Sequence, residues 1–221
     1  MLKNLLSLFL QENCPLCERS TQEEICIYCH KQLKSCQFKN PAQFWSEDLP
    51  LFVWGKYDGK LKQAIAALKY DKHQAIGELL GIWLGETWLN CRVTNSFKSV
   101  RAIPIPLHPE KQKTRGFNQA EIIAKNFCQI TSFSLDSTLL QRVKKTEAMF
   151  NLNAQEKQQN IQQAFQVRKQ LIKQKRSQKV LLIDDIYTTG TTAKEATRML
   201  RKEGIKVLGI AAIAKPIYHQ A

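Results

Sequence analysis

Two carboxylates in tandem, Asp184 and Asp185, follow the apolar run Val180-Leu-Leu-Ile183 and precede Ile-Tyr-Thr188-Thr189-Gly190-Thr191-Thr192. The apolar run reads as a buried strand of a parallel sheet. Ligands of open α/β sheets bind outside the carboxyl ends of such strands. A loop of small residues that opens the next helix offers backbone N–H groups and hydroxyls to an anion. Carboxylates accept hydrogen bonds from vicinal hydroxyls, so acids and loop together fit a ribose diol with a 5′-phosphate. A capped helix after a strand is the plainer alternative. It gives no reason for two acids beside a Thr-Gly-Thr turn.

A second constellation lies near the start of the chain. Cys14-Pro-Leu-Cys17 and Cys26-Ile-Tyr-Cys29 are two C-x-x-C turns with eight residues between them. Two such turns can converge four thiolates on one metal, the ligand set of a closed structural zinc site. Redox-active cysteines or an iron–sulfur centre are the alternatives, although redox chemistry needs one pair, not two. Cys36, Cys91 and Cys128 have no partner spacing and read as buried small apolar residues. Met1 to Leu10 reads as an amphipathic helix, because its short apolar run ends in Gln11, Glu12 and Asn13 without a cleavage site. That implies a reducing, cytoplasmic compartment, and an odd count of seven cysteines argues against a disulfide framework.

The elements that position these groups follow from periodicity. The 221 residues are 43% apolar and 24% charged, which excludes disorder and allows one domain with a small appendage. No apolar stretch approaches the ~20 residues of a membrane span. Lys34 to Leu49 reads as a polar linker, dividing the chain into a knuckle region, 1–48, and an α/β domain, 49–221. Leu51 to Tyr57 reads as a strand. Leu61, Ile65 and Leu68, then Ile76, Leu79, Leu80 and Trp83, give two helices broken at Asp71 to Gln74. Ser99 to Leu107 reads as a strand entering a loop, Asn118 to Phe127 as a helix, and Leu139 to Val143 as a short strand. Helix Thr191 to Lys202 and strand Val207 to Ala214 complete a strand–helix–strand pattern with a parallel sheet.

Residues Val180 to Thr192 resemble the binding motif for 5-phosphoribosyl 1-pyrophosphate (PRPP) of type I phosphoribosyltransferases. Ile103-Pro-Ile-Pro106-Leu-His108-Pro109 and Arg115-Gly-Phe-Asn-Gln-Ala120 narrow the likeness. The whole chain resembles the competence protein ComF family, in which a four-cysteine zinc knuckle precedes a phosphoribosyltransferase domain. The resemblance implies a type I phosphoribosyltransferase-like sheet flanked by helices. It also implies that Asp184 and Asp185 hold the ribose hydroxyls with Mg²⁺ nearby, and that Thr188, Thr189, Gly190, Thr191 and Thr192 bind the 5′-phosphate. Leu107 to Phe117 would be the pyrophosphate loop, with His108 and Arg115 as its contacts, and Lys144 to Asn160 a flexible lid. No acceptor pocket and no catalytic residue is legible.

Charge points to a second ligand. The net charge is +14, and residues 142–179 hold ten Lys or Arg against two Glu. A solvated basic face is the plain reading. Counterion release on single-stranded DNA is the functional one, with Lys173, Lys175 and Arg176 as contacts and Phe117, Phe150, Phe165 and Tyr187 as stacking faces. The family resemblance implies DNA uptake in natural transformation, beside partners in the DNA-uptake machinery. An active phosphoribosyltransferase of nucleotide salvage, with an unidentified acceptor, is the alternative.

Overall fold

A computed structural model describes residues 12–45, 48–144, 161–168 and 179–217. The hairpin β1 (Glu12–Asn13) and β2 (Ser20–Thr21) encloses the first cysteine pair, and α1 (Ile27–Lys34) begins at the second. Then come β3 (Leu51–Lys56), α2 (Gly59–Tyr70) and α3 (Gln74–Leu89). Next are β4 (Val100–Pro104), α4 (Pro109–Arg115), α5 (Gln119–Thr131) and β5 (Ser134–Leu135). An antiparallel pair, β6 (Leu140–Arg142) and β7 (Phe165–Val167), precedes β8 (Lys179–Ile186), α6 (Thr191–Lys202) and β9 (Val207–Lys215).

Five strands form one parallel sheet in the order β3-β9-β8-β4-β5. Successive side chains of a strand point to opposite faces, and β8 shows the consequence. Leu181 and Ile183 join Phe52, Trp54, Leu61, Leu80, Trp88 and Phe127 in the core under α2, α3 and α5. Val180 and Leu182 join Val53, Phe165, Ala193, Leu200 and Ile210 under α6 and the β6–β7 pair. Two faces, each covered, explain why the central strands read as unbroken apolar runs.

Helix α3 reaches α5 through small residues at every fourth position, Gly77, Gly81 and Gly85. A Cβ on Gly81 would lie 2.5 Å from the Ile123 carbonyl oxygen, and one on Gly85 would lie 2.8 Å from the Ile130 Cβ. Trp88 closes this core, with edge-on rings of Phe52, Trp45 and Phe127 at 5.1, 5.6 and 5.7 Å.

The stretch expected as a linker is largely docked. Gln37 bridges Gly55 and Phe44 bridges Leu51, both antiparallel. Phe38 N–H donates to Trp54 and Lys56 N–H to the Cys36 carbonyl, each at 2.9 Å. The cause is β3 itself, an edge strand whose outward N–H and C=O groups need partners. Cys36 and Cys91 are half-buried, against the expectation of full burial, while Cys128 is buried as expected. The Leu107–Phe117 segment, expected as a loop, contains α4, with Pro109 at its start and Gly116 at its left-handed end (φ 87°). The Met1 to Leu10 helix lies outside the described residues.

Candidate functional site

The sheet has a topological switch point between β4 and β8. From β4 the chain passes through α5 to β5 on one side, and from β8 through α6 to β9 on the other. A crevice therefore opens outside the carboxyl ends of these neighbours, where α/β sheets bind ligands. Ile105 N–H still reaches the Ile183 carbonyl at 2.8 Å, so the two strand ends are tied right up to the acids.

Asp184 and Asp185 belong to β8, not to the loop after it, and they leave on opposite faces. Asp185 is 4% exposed and lies on the α2 face, where its carboxylate pairs with Lys69 from the last turn of α2. Burial pulls the Lys69 ammonium down, but the Asp185 carboxylate, with Asp184 and Tyr57 beyond it, outweighs burial and holds it above its ordinary value. Asp184 is half-buried, and its carboxylate accepts from the Asp185 N–H at 2.9 Å. Burial, then the adjacent Asp185 charge, push the Asp184 carboxyl well above the usual carboxylate range. Arg142 of β6 faces this second acid: burial lowers its guanidinium and Asp184 opposes that, while the Phe165 ring lies 5.6 Å away.

The loop after the acids is held from below. Tyr187 N–H donates to the Ala214 carbonyl at 2.8 Å, and the ring is buried. Its hydroxyl lies under Gly190, which has φ 75°; a Cβ there would collide with that oxygen. Gly190 is the N-cap of α6, and Lys194 N–H closes the first helical bond on its carbonyl at 2.8 Å. The N–H groups of Thr191, Thr192 and Ala193 thus have no partner within the helix, as at any helix start. Thr188 and Thr189 are exposed, and the Thr189 and Thr191 hydroxyls are 2.8 Å apart. Acids, hydroxyls and unpaired donors share one edge, an arrangement that can hold a diol and an anion together.

The segment after β4 supplies the opposite wall. His108 caps α4, its Nδ1 accepting from Glu110 N–H at 3.3 Å, a structural task that the sequence motif does not announce. Arg115 donates to Gln119 Oε1 at 2.6 Å, and its guanidinium is 5.9 Å from the Tyr70 ring centre, beside Lys69. Asn118 caps α5 through Ala120 N–H at 3.1 Å and donates to the Ile105 carbonyl at 3.0 Å. Lys69, Arg142 and Asn118 were missed by sequence reading. Only Asn118 carried a signal, as an N-cap residue ahead of an apolar helix.

Two stacking candidates are corrected. Phe165 is 1% exposed and Tyr187 is 7% exposed, so neither ring is available to a base. Both pack inward because their neighbours, Ala164 and the β8 apolar run, build the α6-side core. Phe117 is partly buried against the other core. Tyr70 is the exposed aromatic at this edge. Phe150, Lys173, Lys175 and Arg176 lie outside the described residues, as does the lid segment from 145 to 160.

At the other end, the Sγ atoms of Cys14, Cys17, Cys26 and Cys29 all lie within 4.8 Å of one another, and Cys17 and Cys26 approach to 3.4 Å. Four thiolates about 2.3 Å from a tetrahedral zinc would be about 3.8 Å apart, so the donor set fits such an ion. The short gap closes because the hairpin turns the first pair back and α1 starts at Cys26. The Cys29 N–H lowers the Cys26 thiol to about 6, against its burial, while burial drives Cys29 upward. A metal ion among such thiols is bound by their deprotonated forms, so its binding releases protons.

Comparison with known proteins agrees with this arrangement. Residues 113–219 match the family model for a phosphoribosyl transferase domain. Competence protein F of Haemophilus influenzae is 26% identical over 209 residues, covering 86% of this chain and 90% of that protein. Competence protein ComFC of Streptococcus pneumoniae is 24% identical over 196 residues, so the chain is similar to competence proteins along most of its length. The DNA utilization protein YhgH of Escherichia coli is 23% identical over 214 residues, covering 92% of this chain and 90% of its own. Adenine phosphoribosyl transferase from Trypanosoma brucei is 11% identical with a TM-score of 0.40, covering 87% of this chain and 86% of that enzyme. The fold rests on the strand order and the domain match, not on that overlap. No helix of the described residues is long and apolar enough to cross a membrane.

Proposed function

We propose that this chain is a ComF-type competence protein that binds PRPP at the switch point and single-stranded DNA on the basic surface around it, serving uptake and use of incoming DNA in the cytoplasm. The observation that carries the reading is the edge where half-buried Asp184 adjoins the Gly190-capped α6. In this reading Asp184 and Asp185 hold the ribose hydroxyls, and the Thr188–Thr192 loop holds the 5′-phosphate. Arg115 faces the pyrophosphate, with His108 shaping that wall. Mg²⁺, when bound, would offset the charge of the pyrophosphate. Zinc in the four-cysteine set is structural. The names of the relatives, competence protein F and DNA utilization protein, support the DNA half of the reading, and so does the +14 net charge. Tyr70, exposed beside Arg115, takes the stacking role that the buried aromatics cannot.

The test is calorimetric titration with PRPP and with a single-stranded oligonucleotide, separately and then together. Binding of both, with PRPP lost by about two decades or more when Asp184 and Asp185 are both changed to Asn, supports the reading. Absence of PRPP binding to the parent ends it. Turnover of PRPP with any nucleobase would hand the chain to the salvage-transferase alternative.

A further inference from the structure

The knuckle differs in charge from the rest of the chain. Residues 12–30 hold Glu12, Glu18, Glu23 and Glu24 against Arg19 alone, a net of −3 within a chain of net +14. Phosphate-bearing ligands are repelled by such a face. It is also where apolar side chains stand outside. Ile27 and Tyr28 open α1 and are 65% and 60% exposed. They edge a cleft of about 380 Å³ that Ser20, Thr21, Glu23 and Ile25 also line. The Arg19 guanidinium lies 4.8 Å from the Tyr28 ring centre and holds the ring at the rim. Apolar side chains grouped around a concavity mark a docking surface, as singly scattered ones do not.

The hairpin decides what reaches the cleft. Glu12 pairs with Thr21 and Asn13 with Ser20. In an antiparallel ladder the residues before Glu12 run back beside those after Thr21. The chain ahead of β1 is therefore delivered at Glu23, on the wall of the cleft. Residues 1–11, outside the described residues, read Met-Leu-Lys-Asn-Leu-Leu-Ser-Leu-Phe-Leu-Gln, with Lys3 as their one charged side chain. A helix of that length is marginal in water by itself and forms where its apolar face is covered. We infer that Met1 to Leu10 of the same chain seats its apolar stripe in this cleft against Ile27 and Tyr28, with Lys3 among the knuckle's glutamates. Apolar meets apolar, the charges are opposite in sign, and the tether ends at the cleft. That tether is Gln11 alone, which holds the segment at an effective concentration on the order of millimolar and favours it over a second copy of the chain. Neither PRPP nor DNA takes part in this contact.

The test places a photo-reactive benzophenone amino acid at position 28 of the full chain, where an exposed side chain is replaced. Irradiation should join position 28 to a residue of 1–11 within one chain, read by mass spectrometry of the digested monomer. A covalent dimer joined through the same segment, or a monomer with no link to residues 1–11, overturns the inference. Hydrogen exchange gives a second measure. In the parent, amides of residues 5–10 should exchange at least about tenfold more slowly than those of an unstructured chain. Ile27→Asp combined with Tyr28→Asp should restore the unstructured rate while the amides of β8 keep their protection. Unprotected amides in the parent, or protection that survives both substitutions, overturns it as well. If the double Asp variant does not fold, the cross-link decides.

Discussion

The cysteine cluster and the strand-edge site both gather acidic groups into buried space, and they resolve the charge in opposite ways. Among the described residues the cluster holds four thiols, three of them buried; the Cys29 N–H draws Cys26 down while burial drives Cys29 up. At the edge, Asp185 has Lys69, and Asp184 feels Arg142. A site without an internal cation must import one to become stable. A site with its own cations is complete before any ligand arrives, and its remaining donors suit anions.

The largest effect that tests this contrast is metal removal. Structural zinc supplies apparent binding free energy on the order of 10 kcal/mol in isolated finger peptides. Chelation should therefore open residues 14–34, with β8 and β9 keeping their structure. Hydrogen exchange checks this: amides of the knuckle should lose protection while those of Val180 to Ile183 keep it. Full protection of the knuckle after metal removal would mean that the cluster is held by packing alone. Cys14, Cys26, Cys29 and Leu33 do share a core with Trp54, Trp83 and α2, and Lys60 donates to the Leu16 carbonyl at 3.4 Å. Some loosening around Trp83 is thus expected too.

Next is the resident cation. Lys69→Met removes one partner of a buried pair, which costs about 3–5 kcal/mol where the other charge is left uncompensated. The raised Lys69 value gives the sign. Its contribution to stability is fully present below the ordinary lysine value of about 10.4 and is lost as pH rises through the folded value above it. Urea midpoints should thus separate parent from variant across neutral pH and converge in strong alkali. A gap that persists undiminished at high pH would mean that Lys69 stabilises by packing its stem.

How much of this was legible in the chain differs between the two sites. The cysteine set is local, two turns close in sequence, and spacing alone picked out all four members of the cluster. The loop Thr188 to Thr192 and helix α6 were equally local, and the helix runs from Thr191 to Lys202 as expected. Lys69 was invisible because its partner lies more than a hundred positions away, and nothing in Leu68-Lys-Tyr70 distinguishes a site lysine from a solvated one. Helix α4 was legible and overlooked, since Pro109 and Gly116 mark its ends. The buried Phe165 and Tyr187 show the limit of composition: aromatics among basic residues read as stacking faces, but only the sheet decides which side they occupy.

A smaller effect runs in the stabilising direction. Burial and the Asp185 charge raise the Asp184 carboxyl, so the folded state holds its proton more tightly than the unfolded chain. The stability that goes with the neutral form is present below about 3.9 and is lost as pH rises through the folded value. Asp184→Asn cannot ionise and should melt a little higher than the parent at pH 7, with no advantage at pH 3. PRPP affinity should fall in the same variant, which marks Asp184 as a residue kept for its ligand at the expense of the fold. If Asp184→Asn melted lower at pH 7, Arg142 would be meeting the carboxylate more fully than its own depressed value implies.

The last comparison is between stacking and charge on the DNA surface. Tyr70 is 72% exposed, so Tyr70→Ala should leave the melting temperature where it is. It should weaken a single-stranded oligonucleotide by about tenfold, near the lower end of what one base on an aromatic ring contributes. The salt dependence should not change, because no cation is removed. Replacing Lys173, Lys175 and Arg176 by Ala should do the reverse. With about five phosphates neutralised, the slope of log affinity against log salt is near −3.5, and removing three cations should flatten it by about 2. Fluorescence anisotropy at several salt concentrations separates the two variants. A Tyr70→Ala protein with parental affinity at every salt would leave the DNA surface purely electrostatic. A slope unmoved by the triple Ala variant would move the phosphate contacts to the cations around the crevice, Lys69, Arg115 and Arg142, and PRPP would then compete with DNA for the same groups.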